Sequence, residues 1–195
     1  MKTAAVFFAD GFEEIEGLSP VDYLRRAGVE VTTVGVKGNE YNDTMIVTSS
    51  HKIPIIVDTT LDKYLASLGD SLPDCVVCPG GSVGADNLAS CSKLLNFLEK
   101  CYENGKITSA ICASPAVLFG KTNILAGKKW TCYPGMEDNA KEEYIPAYFN
   151  EVVITDDNVV TSRGPGASEQ FAMELVKILC GQETYDKIKK ASQQR

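Results

Sequence analysis

Ile107-Thr108-Ser109-Ala110-Ile111-Cys112-Ala113-Ser114-Pro115-Ala116-Val117 joins two kinds of structure with no linker between them. An apolar, strand-like run stops at a cysteine. Small residues with helix-forming character follow at once. That is the layout of a nucleophile elbow, a strained strand-to-helix turn whose apex side chain stands above the sheet. Backbone N–H groups at a helix start favour thiolate over thiol, so the pattern points to a reactive Cys112. The competing reading is a strand cysteine packed in a core, where free cysteines are common.

Strand and helix signals alternate on both sides of this stretch. Thr3 to Ala9 is an apolar run suited to a strand buried on both faces. The acidic turn Asp10-Gly11-Phe12-Glu13-Glu14-Ile15-Glu16 follows. A helix is expected next, with Ser19 and Pro20 as cap and first position and Gly28 as its stop. Val29 to Val36 reads as the second strand, Asn39 to Asp43 as a turn-rich loop, and Met45 to Thr48 with Ile53 to Val57 as short strands or a hairpin. Asp74 to Cys78 is a strand that ends in Pro79-Gly80-Gly81-Ser82. Leu94, Leu95, Leu98, Cys101 and Tyr102 share a helical face that Gly105 ends. Val152 to Thr155 and Val159 to Thr161 flank a turn at Asp156-Asp157-Asn158. Phe171, Ala172, Leu175, Val176 and Leu179 mark the last strong helix, and the charged tail from Lys187 is expected to fray. No repeat, linker or low-complexity segment interrupts the pattern. The expectation is a single α/β domain over residues 1–195, a mostly parallel sheet with helices on both faces.

The net charge of −7 opposes binding to nucleic acid or to an anionic membrane surface. Charges interrupt every apolar segment, so no transmembrane run is expected. The N-terminal apolar stretch is too short for a signal peptide, with Asp10, Glu13 and Glu14 close behind. The seven cysteines are odd in number and irregularly spaced. A disulfide framework is therefore not expected, and a reducing cytoplasm is. Cys75 and Cys78 form a CxxC, but inside an apolar strand, where alternation sends the two sulfurs to opposite faces. No second ligand pair accompanies them, so no metal is expected.

Ligands of open α/β sheets bind outside the carboxyl ends of the strands. Three segments should meet there: the Asp10–Glu16 turn, Gly80-Gly81 and Cys112. Cys112 is the candidate nucleophile. Glu16 is placed to hydrogen-bond the sulfur or to shuttle a proton. Gly80, Gly81 and Ala113 can offer backbone N–H groups to an oxyanion. Each feature alone has a plain structural explanation, a tight turn for the glycines and a helix N-terminus for the acids. Their coincidence with the elbow favours a site.

Four motifs occur in register: Asp10 to Glu16, Leu72-Pro73-Asp74-Cys75-Val76-Val77-Cys78-Pro79-Gly80-Gly81, Ala110-Ile111-Cys112-Ala113-Ser114-Pro115 and Thr161-Ser162-Arg163-Gly164-Pro165-Gly166. Together they resemble the ThiJ/PfpI superfamily, in its DJ-one (parkinsonism-associated, deglycase-like) branch, over nearly the whole chain. The resemblance implies a flavodoxin-like three-layer sandwich and a homodimer. It implies a hydrogen bond between Glu16 and Cys112, and ready oxidation of that cysteine to sulfinic acid. It also implies cofactor-independent chemistry on a small carbonyl substrate: glyoxalase III-like conversion of 2-oxoaldehydes such as methylglyoxal, or deglycation. Redox-regulated protective or chaperone roles are the non-enzymatic alternative, and an inert dimeric scaffold is a third.

The chain leaves the family pattern at one place. A histidine is usual in the segment matching Trp130-Thr131-Cys132-Tyr133-Pro134, and here the position holds Tyr133. A phenol with an unperturbed pKa near ~10 is a poor base at neutral pH but still a hydrogen-bond donor. His51 is the only imidazole, either a substitute auxiliary or a solvated loop residue. Protease-like members carry histidine directly after the cysteine, where this chain has Ala113, so proteolysis is not expected.

Overall fold

The consecutive phenylalanines at the end of the first strand show how the layers are built. Adjacent strand residues point to opposite faces. Phe7 meets the rings of Tyr64 and Phe97 edge-on at 6.3 and 6.0 Å. Phe8 meets Phe12 at 4.8 Å and lies against Gly17, where an added Cβ would stand 2.4 Å from its ring. Helices therefore cover both faces of this strand. The computed structural model describes residues 1–36 and 45–194. The turn expected at Asn39 to Asp43 lies outside the described residues.

The sheet has seven strands: β1 (Thr3–Phe8), β2 (Glu30–Gly35), β5 (Thr59–Thr60), β6 (Cys75–Cys78), β7 (Ile107–Ile111), β8 (Val153–Asp156) and β9 (Val159–Ser162). Their order is β5-β2-β1-β6-β7-β9-β8, and only the β8–β9 pair is antiparallel. The strands β3 (Ile46–Thr48) and β4 (Pro54–Ile56) form a separate antiparallel pair, as the hairpin reading expected. The helices are α1 (Glu14–Arg26), α2 (Leu61–Leu68), α3 (Ser82–Ala89), α4 (Ser92–Glu103), α5 (Ser114–Val117), α6 (Ser168–Cys180) and α7 (Gln182–Ala191). This is the flavodoxin-like α/β architecture. The central strand β6 is buried along its whole length, which explains its unbroken apolar run. Cys75 and Cys78 are free thiols within that core.

The order of winding reverses at β1, which has β2 on one side and β6 on the other. Such a switch point opens a crevice at the carboxyl ends of the strands. The turn after β1, the glycines after β6 and the elbow after β7 all arrive there.

Three local expectations change. Helix α1 begins at Glu14, not near Ser19, because the Glu13 carboxylate accepts the Glu16 N–H at 2.9 Å and caps the helix. Pro20 then sits inside the helix and withholds the N–H that would meet the Glu16 carbonyl. The segment from Lys187 to Ala191 does not fray. It completes α7, which packs on α6 and buries Ile188. The helix after the elbow is one turn long, so its macrodipole is small.

Candidate active site

The elbow is real in its backbone. Cys112 has φ 64°, a left-handed conformation rare for a residue with a side chain. Strain of this kind costs about 1–3 kcal/mol and persists only where the surroundings hold it. Three hydrogen bonds do so. Cys112 donates its N–H to the Ser162 carbonyl at 2.9 Å, and its carbonyl accepts the Tyr133 N–H at 2.8 Å. Ser114 Oγ donates to the Pro79 carbonyl at 2.6 Å, tying the elbow to the loop after β6.

Glu16 reaches this point from the first turn of α1 and is fully buried. Its Oε2 accepts the Gly80 N–H at 2.9 Å. Its Oε1 has no hydrogen-bond partner, and the Cys112 thiol is near enough to act on its titration. Burial is the largest influence on this carboxyl. With the nearby Glu13 charge it pushes Glu16 up to about 8, against the lowering effect of the Cys112 thiol and the Gly80 hydrogen bond. The Cys112 thiol is likewise pushed up, to about 12, by burial and then by the Glu16 charge. Gly81 and Ala113 N–H groups pull the other way by bonding the sulfur.

Those two values belong to the pair. Each anion opposes the other, so the pair passes through a state with a single proton before losing both. In the intermediate state the sulfur has two N–H donors and the carboxylate has one. That balance favours thiolate beside a protonated Glu16. The thiol is thus not acidified outright, as an exposed cysteine at a long helix would be. Its exposure is only 9%.

The glycines have distinct tasks. Gly80 was expected to serve an oxyanion, but its N–H is committed to Glu16. Its Cα also passes so near the elbow that a Cβ would lie 2.6 Å from Cys112 Cβ. Gly81 sits at φ 86° and gives its N–H to the sulfur, as does Ala113.

Tyr133 is brought beside Cys112 through its backbone, and its ring is half exposed, lying against Gly164. His51 goes elsewhere. Its Nδ1 pairs with Glu14 Oε1 at 2.8 Å, its side chain is 72% exposed, and that pairing raises its pKa. It is a solvated loop residue, not an auxiliary to the sulfur. Glu13, Glu14 and His51 bring ligand atoms within 4.8 Å of one another. Glu13 is occupied there as the α1 cap and Glu14 as the partner of His51.

Two residues that matter were not singled out by sequence reasoning. Glu13 both caps α1 and raises Glu16; an acid three residues before the site carboxyl was its signal. Ser114, which braces the elbow, had no signal beyond its place in the motif.

An elbow thiol and a buried carboxyl at the switch point of a flavodoxin-like sheet define a class of cysteine-centred α/β proteins. The chain belongs to the DJ-1/PfpI family, whose model matches residues 2–178. It is 35% identical over 190 residues to protein dj-1beta of Drosophila melanogaster, covering 97% of this chain and 95% of that one. It is 37% identical over 184 residues to protein DJ-1 homolog B of Arabidopsis thaliana, covering 94% of this chain but only 39% of that longer protein. A deglycase of Pyrococcus abyssi is 30% identical over 177 residues, 89% of this chain and 97% of its own. The structure of oxidized DJ-1 from Toxoplasma gondii superposes with a TM-score of 0.87 at 31% identity, covering 98% and 97% of the two chains. Among the described residues, no helix is long and apolar enough to cross a membrane.

Proposed function

We propose that this chain is a cytoplasmic, stress-protective protein that acts on small 2-oxoaldehydes through Cys112, without a cofactor, in a glyoxalase III-like or deglycase-like manner. The observation that carries this reading is the Cys112–Glu16 pair, a thiol and a buried carboxyl that shift each other's titration beside the Gly81 and Ala113 N–H groups. The Cys112 sulfur attacks the aldehyde carbon. A carbon–sulfur bond forms, and the oxygen takes up a proton to give a hemithioacetal. Glu16 removes the hydrogen on that carbon as a proton and returns one to the neighbouring carbon, giving a 2-hydroxy thioester. Water then cleaves the carbon–sulfur bond, releasing the 2-hydroxy acid and the thiol. No electron leaves the substrate, so no redox cofactor is required. The likeness to a deglycase supports carbonyl chemistry of this general kind.

Methylglyoxal turnover by the purified protein tests the reading. Lactate formation should be abolished in Cys112→Ser and Glu16→Gln. Turnover that persists in Cys112→Ser rejects the sulfur as nucleophile.

A second reading, in which Cys112 is oxidised to sulfinic acid as a redox sensor or chaperone switch, is favoured by Tyr133 standing where a histidine base is usual. It needs only the thiol and Glu16. The oxidized form of the Toxoplasma gondii relative agrees with it. A homodimer belongs to both readings. Ile15 and Leu18 of α1 and Ile46, Ile53 and Ile56 around the hairpin are exposed, and a second copy would cover them.

A further inference from the structure

Tyr133, Pro134, Arg163 and the 164–167 turn line a cavity of about 490 Å³. One backbone bond of Cys112 runs to its wall and the other to a residue adjoining that wall in sequence. The nucleophile's carbonyl holds the N–H of Tyr133, and its N–H is held by Ser162, the residue before Arg163. The cavity is therefore fastened to the elbow. Gly164 lets the Tyr133 ring close over it, since a Cβ there would stand 3.2 Å from that ring.

Arg163 is the cation in this wall. Its backbone N–H is fixed to the Val152 carbonyl at 3.1 Å, and its side chain is half-buried. Its guanidinium has no hydrogen-bond or ion-pair partner among the described residues. Its charge is felt by the Tyr148 phenol. The carboxylate that also acts on Tyr148, Glu137, is held instead by the Gly135 N–H at 2.8 Å. An unpaired guanidinium presents a rigid fork of donors matched to an oxyanion. In a chain of net charge −7, an anionic substrate needs such a local cation to approach.

The geometry points to this cavity as an oxyanion subsite of the Cys112 site, in which Arg163 holds a carboxylate or phosphate of the substrate while its aldehyde lies against the sulfur. The inference rests on the carbonyl reading above and narrows it. The preferred substrates are 2-oxoaldehydes carrying an anionic group beyond the carbonyl pair. A three-carbon neutral substrate leaves much of the cavity unfilled. Arg163 acts here as a binding and specificity residue, with no part in proton transfer.

Alkylation of Cys112 tests this without requiring turnover. Iodoacetate and iodoacetamide deliver the same carbon to the sulfur, one with a carboxylate and one without. The ratio of their rates at Cys112, read by peptide mapping, should fall about five-fold in Arg163→Gln, the scale of one partly exposed ion pair. Arg163→Lys should fall between the two. Lys100→Gln, which removes one positive charge from α4, should leave the ratio unchanged. An unchanged ratio in Arg163→Gln overturns the subsite while leaving the nucleophile reading intact. An equal fall in Lys100→Gln also overturns it, since net charge alone would then explain the effect. A binding measurement on Cys112→Ser stands apart from the thiol's reactivity. Titrating glyoxylate and inorganic phosphate while following the backbone amide resonances of Gly164 and Gly166 should give saturable shifts that Arg163→Gln abolishes, and the stronger ligand identifies the carboxylate or phosphate source. No shift with either ligand overturns the proposal.

Discussion

Gly80 gives its backbone N–H to Glu16 Oε2 at 2.9 Å, and its Cα lies where a Cβ would stand 2.6 Å from Cys112 Cβ and 2.7 Å from that same carboxylate oxygen. One small residue thus orients the carboxyl and leaves room for the sulfur beside it. Gly80→Ala should push the two apart. The expected cost is about 1–3 kcal/mol of stability, the usual scale of overpacking. Thermal melting and the iodoacetamide rate at Cys112 check this together: both should fall, and a variant that melts and reacts like the native protein contradicts the role given to Gly80.

Glu16 should also set a pH dependence of stability. Its carboxyl is raised from 4.5 to about 8 in the folded chain, mainly by burial. Between those values the folded state holds a proton that the unfolded state has lost. The stabilisation is full below about 4.5 and is lost as pH rises through about 8. The loss amounts to about 1.4 kcal/mol for every pH unit crossed between the two values. The melting temperature should therefore decline from pH 5 to pH 8, and Glu16→Gln should flatten that decline.

His51 should be dispensable. It is exposed and paired with Glu14, away from the sulfur. His51→Gln should leave the Cys112 alkylation rate and any 2-oxoaldehyde turnover unchanged. A loss of more than about ten-fold, the lower reach of a general acid–base group, would restore it as an auxiliary.

Tyr133 is the informative departure. Its backbone already serves Cys112, and its ring is half exposed beside the cavity. If proton transfer at this position limits the reaction, native methylglyoxal turnover should be weak and Tyr133→His should raise it about ten-fold or more. Strong native turnover left unchanged by the substitution would show that a hydrogen bond is enough.

Much of this fold was legible because buried strands keep unbroken apolar runs and turns keep their glycines. The runs at Thr3, Cys75 and Ile107 became β1, β6 and β7, and Gly28 and Gly105 closed their helices. The start of α1 was not legible. Ser19-Pro20 is a good local cap, but Glu13 caps earlier and tertiary packing holds a proline within the helix. The charged segment from Lys187 looked solvated because a single buried face, with Ile188, is a faint signal among lysines. The meeting of the Asp10–Glu16 turn, Gly80-Gly81 and Cys112 followed from the rule for strand ends. The direction of each N–H did not. Gly80 serves Glu16 while Gly81 serves the sulfur, a difference that only backbone torsion decides. The raised titration of the pair was equally hidden, since it depends on how fully Glu16 is buried.

The rate of Cys112 alkylation by iodoacetamide as a function of pH tests the shared-proton site most directly. In the native protein Cys112 should be the first of the seven cysteines to react, with a rate that rises as the pair loses its first proton. Glu16→Gln should keep that rise, because the amide replaces the donor that a protonated Glu16 offers to the thiolate. A native rate that climbs only towards 12, or earlier alkylation of the more exposed Cys91, would contradict a thiolate supported by Glu16.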